Sequence, residues 1–314
     1  MRKSKAPKNQ PFNKRSSGDH FALRVVTAVI LIIAGCAADR PTMDAPPAVV
    51  GQSQRVGELA HPQLKEVSGL SASSLYPGLL WAINDGGDDP LLYAVSSDGA
   101  DLGTFLVEGA KNLDWEALSS FRLPDGAYLL VADVGDNWQQ RQSATLYVVK
   151  EPGITAAGLD SDRAVPIAWQ IDFTYEDGPQ DCEAAAVDPV NQSVLLLTKR
   201  GLSPTLYEVP LKPADSGTPA IARRLTSVPH FNWPTDMDLS PDGLAAVVLT
   251  YNHAYLFRRR PKDDWPKAFQ KKPQRLLFET LMQQEAIAFG FYGKSVWLTS
   301  ERRPAPLVRI DLGE

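Results

Sequence analysis

Glu183-Ala184-Ala185-Ala186-Val187 opens a phrase that continues through Leu196-Leu197-Thr198 into Lys199-Arg200, and then through Leu206-Tyr207-Glu208-Val209. The same three-part phrase returns four more times. Its other openings are Glu66-Val67-Ser68-Gly69-Leu70, Glu116-Ala117-Leu118-Ser119, Thr235-Asp236-Met237-Asp238-Leu239 and Glu285-Ala286-Ile287-Ala288-Phe289, and successive openings lie 50, 67, 52 and 50 residues apart. The second part of each copy is an apolar run ending in polar groups, such as Leu80-Trp81-Ala82-Ile83 into Asn84-Asp85. A period near fifty built from short strands predicts an all-β chain, a β-propeller with one blade per repeat.

About 53 residues per repeat suits a four-stranded antiparallel blade. Ser97-Asp98-Gly99, Pro124-Asp125-Gly126, Asp177-Gly178 and Ser240-Pro241-Asp242-Gly243 supply turns where strands should reverse. The chain ends at Glu314, after the third strand of copy five, while a strand-like run from Gln52 to Leu59 has no copy of its own. Pairing that run with the last copy would close a five-bladed ring and remove an unpaired edge. Six blades is the alternative. Its only room is the long gap between Glu116 and Glu183, whose surplus reads instead as a loop insertion around residues 151–166. Pro266 and Pro273 limit any helix in 262–284 to about one turn.

Residues 1–35 read as a leader. Arg2, Lys3, Lys5, Lys8, Lys14, Arg15 and Arg24 precede a short apolar stretch, Val25 to Ala34, that ends Ile33-Ala34-Gly35-Cys36. This resembles the lipobox of bacterial lipoproteins, and the resemblance implies lipid on Cys36. Ala37 after the cysteine resembles sorting to the outer membrane, facing the periplasm. Residues 36–50, with Pro41, Pro46 and Pro47, then read as a flexible tether, and 51–314 as the single propeller domain. With Cys36 lipidated, Cys182 has no disulfide partner. The leader holds seven of the 32 basic and one of the 37 acidic residues, leaving 25 and 36, a net −11. That balance argues against nucleic acid and for cations.

In a propeller the inner strand starts on the face where the second strand ends, so the acid-led openings and the polar endings converge on one rim. The expected metal set is Glu66, Glu116, Asp133, Glu183 and Glu285. The expected ligand-binding set is Asn84, Asp85, Asp136, Asn137, Lys199, Arg200, Tyr251, Glu301 and Arg302. Asp236 and Asn252 also fall there. Carboxylates gathered near one axis repel and call for a cation, basic partners or protonation. Calcium, bound by oxygen ligands alone, is the metal that fits. The alternative is that the repeated acids hydrogen-bond backbone of the neighbouring blade. No Gly-x-Ser-x-Gly, phosphate-loop or His-Glu-x-x-His pattern occurs, and His253 is the best-placed general-base candidate. On the opposite face, Arg258, Arg259, Arg260, Lys262, Lys267, Lys271, Lys272 and Arg275 form a basic segment expected to face anionic head groups.

The phrases Trp81-Ala82-Ile83-Asn84-Asp85-Gly86-Gly87, Asp114-Trp115-Glu116 and Asp133-Val134-Gly135-Asp136-Asn137 resemble secreted bacterial propeller proteins of poorly defined function. More distantly, the layout is similar to calcium-dependent propellers of the gluconolactonase, esterase-like phytase and SdiA-regulated types. That likeness implies calcium on rim acids and amides, with Thr235 departing from the pattern. Two functions follow as expectations. One is a lipid-anchored envelope module binding a protein, glycan or small molecule at the acidic rim. The other is a calcium-dependent hydrolase of phosphoesters or lactones.

Overall fold

The computed structural model describes residues 49–153, 163–201, 203–212, 217–301 and 303–313. The leader, Cys36 and the tether up to residue 48 lie outside the described residues, as does Arg302. The chain enters with β1 (Val49–Val50) and β2 (Gln52–Glu58). A first meander follows: β3 (Val67–Ala72), β4 (Leu79–Asn84), β5 (Leu91–Ser96) and β6 (Asp101–Glu108). The second is β7 (Trp115–Leu123), β8 (Gly126–Asp133), β9 (Ala144–Lys150) and β10 (Arg163–Tyr175). The third is β11 (Cys182–Asp188), β12 (Ser193–Thr198), β13 (Thr205–Pro210) and β14 (Ala220–Ser227). The fourth is β15 (Pro234–Leu239), β16 (Ala245–Thr250), β17 (Ala254–Arg258) and, after helix α1 (Trp265–Gln270), β18 (Gln274–Leu276). The fifth is β19 (Gln284–Phe289), β20 (Ser295–Ser300) and β21 (Pro306–Asp311), and β2 pairs antiparallel to β21 as its outer strand.

These sheets are the blades of a β-propeller. The inner strands touch in a cycle: β3 on β7, β7 on β11, β11 on β15, β15 on β19, and β19 back on β3. Each of five hydrophobic clusters lies between two neighbouring sheets, including one that joins the fifth sheet to the first through Ala286, Trp297, Leu70 and Leu80. A strand covered on both faces needs apolar residues in both directions, which is why the second-strand runs do not alternate. Trp81 and Trp297 are core residues. The fourth sheet gains a further strand, β1, parallel to β18, and the strand expected to close the last sheet is β2.

The surplus in the second repeat is not a loop throughout. Residues 163–166 begin β10 and pair in parallel with β6 of the first blade, while residues 173–175 pair with β14 of the third. An outer strand of 13 residues thus straps three blades together. The expectation of a loop to residue 166 missed this because outer strands, half exposed and rich in mixed residues, carry little apolar signal.

Inner strands are joined mainly by side chains. Asp236 and Asp238 each accept their next residue's N–H and, at 2.7 and 2.8 Å, the N–H of Ile287 and Phe289 on β19. Ser68 donates to the Trp115 carbonyl, and Ser119 accepts from Val187 N–H.

Helix α1 is six residues long and starts on Asp264, whose carboxylate accepts the Lys267 N–H. It buries Trp265, Ala268 and Phe269. The basic segment around it is partly consumed: Arg259 turns inward onto Asp188 and the Trp265 ring, and Lys267 and Lys271 both pair with Asp263.

Candidate functional site

One irregularity builds the site. In every inner strand the pairing to the second strand skips a residue: Ser68, Glu116, Glu183, Thr235 and Glu285. A bulge of this kind re-aims the skipped side chain. Four of the five skipped residues line one cavity of about 160 Å³ at the channel mouth: Ser68, Glu116, Glu183 and Glu285. Asp85, Asn137, Lys199, Tyr251, Gln283 and Glu301 complete its polar wall. The fifth, Thr235, is buried and donates to the Gln284 carbonyl.

This frame corrects one expected metal residue. Glu66 lies two positions before the skip, is exposed, and stands outside the cavity wall. Ser68 holds its place. Asn84 and Asp133 also stand outside it. Asn84 Oδ1 accepts the N–H groups of Lys65 and Glu66, and its amide donates to the Gln63 carbonyl and Asp88. Asp133 does the same one blade on, accepting from Leu113 and Asp114 N–H and pairing with Arg141 at 2.7 Å. Both fix the loop that enters an inner strand. Asp136 is likewise a loop clamp, accepting from the N–H groups of Gln140 and Arg141. Arg200 binds Asp181 and reaches Asn137 Oδ1 at 2.7 Å, at the edge of the mouth. His253 is not among the lining residues; its ring stands edge-on to Tyr255, and burial followed by Arg275 lowers its pKa.

The electrostatics of the mouth are lopsided. Lys199, the ammonium in the wall, sits 2.9 Å from Glu183 Oε1 and over the Tyr251 ring at 5.3 Å. Burial works against its charge, but Glu183 and Tyr251 outweigh burial and raise its pKa. Burial pushes Glu183 up to about 7 in spite of that ion pair, and pushes Glu285 up to about 8. Glu116 is 7 % exposed and makes no side-chain hydrogen bond or ion pair among the described residues. Burial, then Glu183, Asp85 and Asp114, raise it well above the usual carboxylate range.

Asp114 was missing from the expected set. Its carboxylate, with those of Asp85 and Glu116, forms a triad whose oxygens lie within 4.8 Å of one another. Burial followed by Asp85 raises Asp114 to about 6. The sequence did carry a signal, because Asp114-Trp115-Glu116 places a second acid two residues before Glu116, at the entry to its strand. Two glycines admit the triad. A Cβ at Gly135 would sit 2.4 Å from Asp114 Oδ2 and 2.5 Å from Glu116 Oε1, and one at Gly86 would sit 2.8 Å from Asp114 Oδ1. Such a set of hard oxygen donors matches the ligand chemistry of calcium.

No protein-family model matches the chain, and no curated protein does. Among solved structures the chain is similar to a chain of a nidogen/laminin complex, at 14 % identity over 77 % of this chain and 74 % of that one, with a TM-score of 0.45. It is also similar to the Pan2 WD40 domain of Neurospora crassa, at 11 % identity over 83 % and 96 %, and to a luciferin-regenerating enzyme, at 9 % over 83 % and 95 %; both have TM-scores of 0.41.

Proposed function

We propose that this chain is a lipid-anchored propeller of the cell envelope that binds its ligand at the acidic mouth, through a cation. The observation that carries the reading is Glu116, a carboxylate 7 % exposed, without a side-chain partner, facing a cavity it shares with Glu183 and Glu285. A buried carboxylate left alone costs several kcal/mol or takes up a proton; a cation relieves both conditions. Asp85, Asp114 and Glu116 would hold a calcium ion, with Gly86 and Gly135 leaving room for their carboxylates.

The test is thermal unfolding of the full chain in detergent, with excess calcium and with chelator. A ligand that binds only the folded state raises the midpoint. The reading expects a calcium-dependent rise that Glu116→Gln removes. Equal midpoints in calcium, magnesium and chelator would defeat the ion-binding mouth and leave the repeated acids as structural.

The anchor is proposed at Cys36, placing the propeller at the outer membrane on the periplasmic side. Replacing Cys36→Ala should move the chain from the membrane to the soluble fraction.

A second reading is a calcium-dependent hydrolase of phosphoesters or lactones. It is favoured by Glu285, which titrates at about 8 beside the mouth and so could exchange a proton near neutral pH. Turnover of lactones or phosphoesters that is lost in Glu285→Gln, with the calcium shift kept, would select this reading.

A further inference from the structure

We infer that the mouth receives a lysine or arginine side chain of a polypeptide, held by the apolar loop tips that surround it. The inference rests on the acidic mouth being a cation site; the basic side chain and a calcium ion are alternative occupants of Glu116, so calcium should compete with the peptide.

Antiparallel order puts two kinds of loop on the mouth's face: those that enter an inner strand and those that join a second strand to a third. Leu113, Trp233 and Met282 stand in loops of the first kind, and Trp138 in one of the second. All four are exposed, at 63, 60, 68 and 83 %. Trp138 and Trp233 carry the two large exposed indoles; the other five tryptophans are buried or packed against the core. Two of the four stand directly beside residues of the cavity wall, Trp138 after Asn137 and Met282 before Gln283.

The backbone there is held in an unusual state. Trp233 has φ +54°, and Gln139 and Gln283, next to Trp138 and Met282, have φ +51°. Only Gln192, in a turn on the other face, joins them as a non-glycine residue at positive φ among the described residues. Side chains other than glycine adopt this region only with strain. Three such residues therefore fix apolar side chains in solvent around an acidic opening.

Charge complementarity selects the occupant. Glu116 and Glu285 face the cavity without an ion-pair partner among the described residues, and the wall's own ammonium is committed to Glu183. An inorganic ion would satisfy the carboxylates but leave the loop tips in water. A basic side chain on a chain with apolar neighbours satisfies both, and aromatic anchors around a desolvated charge are the usual composition of a binding hot spot.

The test is selection from a random dodecapeptide library displayed on phage, against the full chain immobilised in detergent. The expected sequences share a lysine or arginine with apolar neighbours. A synthetic copy should shift tryptophan emission to the blue and lose at least tenfold in affinity when its basic residue becomes norleucine. The doubly substituted Glu116→Gln, Glu285→Gln chain should lose at least tenfold, and Trp138→Ser or Trp233→Ser at least threefold each. The two tryptophan changes, at exposed positions, should leave the thermal midpoint within a few degrees, so a loss there reports the contact. Failure to enrich, enrichment without a basic residue, or unchanged affinity in both tryptophan variants overturns the inference. If the calcium shift persists in that case, the cation site stands and only the polypeptide partner falls. If the calcium shift is also absent, the mouth itself is structural.

Discussion

Lys199 Nζ lies 2.9 Å from Glu183 Oε1, and this pair takes up the ammonium of an otherwise acidic wall. Lys199 is the ammonium among wall residues that include Asp85, Glu116, Glu183, Glu285 and Glu301. Removing one partner of a buried pair costs about 3–5 kcal/mol when the other stays charged. Glu183 already titrates near 7, so in Lys199→Met it can escape that cost by protonation. The variant should therefore lose little stability at pH 6 and clearly more at pH 8. Urea unfolding at the two values checks this, and equal losses would mean that the lysine acts through packing alone.

The unmodified chain should show a related pH dependence. Glu183, Glu285 and Asp114 have folded pKa values of about 7, 8 and 6, each above its ordinary value, with burial as the first cause. A raised carboxylate binds its proton more tightly when folded, so unfolding releases protons and stability falls as pH rises from about 4.5 to 8. Asp263, lowered by its bonds to Lys271 and Lys267, works the other way at acid pH below that window. His61 and His253, lowered by burial, also oppose the trend below the ordinary histidine value of 6.5, where they are outnumbered by these carboxyls and Asp238, which burial raises to about 7. The midpoint should thus rise on acidification from pH 8.5 to 5.5, and Glu285→Gln should flatten the upper part of the slope. Saturating calcium should flatten it as well, since a bound cation replaces the protons.

Gly135 tests the triad without touching a ligand atom. A methyl group there meets the Asp114 and Glu116 carboxylates at 2.4–2.5 Å. Gly135→Ala must push those side chains apart, while the cost to the propeller should stay near 1–3 kcal/mol, typical of a tight overpacking. The calcium-dependent midpoint shift should vanish although the strand content seen by circular dichroism is retained. A preserved shift would place the ion elsewhere.

The ring was legible because each inner and second strand is buried on both sides and so writes an apolar run, repeated five times. The mouth was legible in part. Glu116, Glu183 and Glu285 stand where the acid-led openings put them, but Glu66 does not. Ser68, two residues after Glu66, is the one the pairing skips, and a bulge leaves no trace in composition. Asn84 and Asp133 were the right type at the right height and yet are spent on backbone N–H groups of the entering loops. Residue type alone does not distinguish an acceptor for backbone from an acceptor for a ligand. Asp114 was overlooked because it precedes its strand, although its spacing to Glu116 was plain.

Two carboxylates hold indole N–H groups of other blades, and one of them allows a clean energetic test. Glu151, just after β9, accepts from the hydroxyls of Ser73 and Ser74, from Ser74 N–H at 3.1 Å and from Trp81 Nε1 at 3.0 Å. Asp188 plays the same part for Trp265 at 2.7 Å. Glu151 is 7 % exposed and Trp81 fully buried, so Glu151→Ala strands an indole N–H away from bulk solvent. An unsatisfied buried donor costs about 1–3 kcal/mol, and the serine contacts add to that. Trp81→Phe alone should be expensive too, through the cavity it leaves. In the double variant the stranded donor no longer exists, so the losses should fall short of additive by about 1–2 kcal/mol. Urea unfolding of the four chains measures that coupling. A coupling near zero would mean that the first and second blades are joined there by packing rather than by the carboxylate.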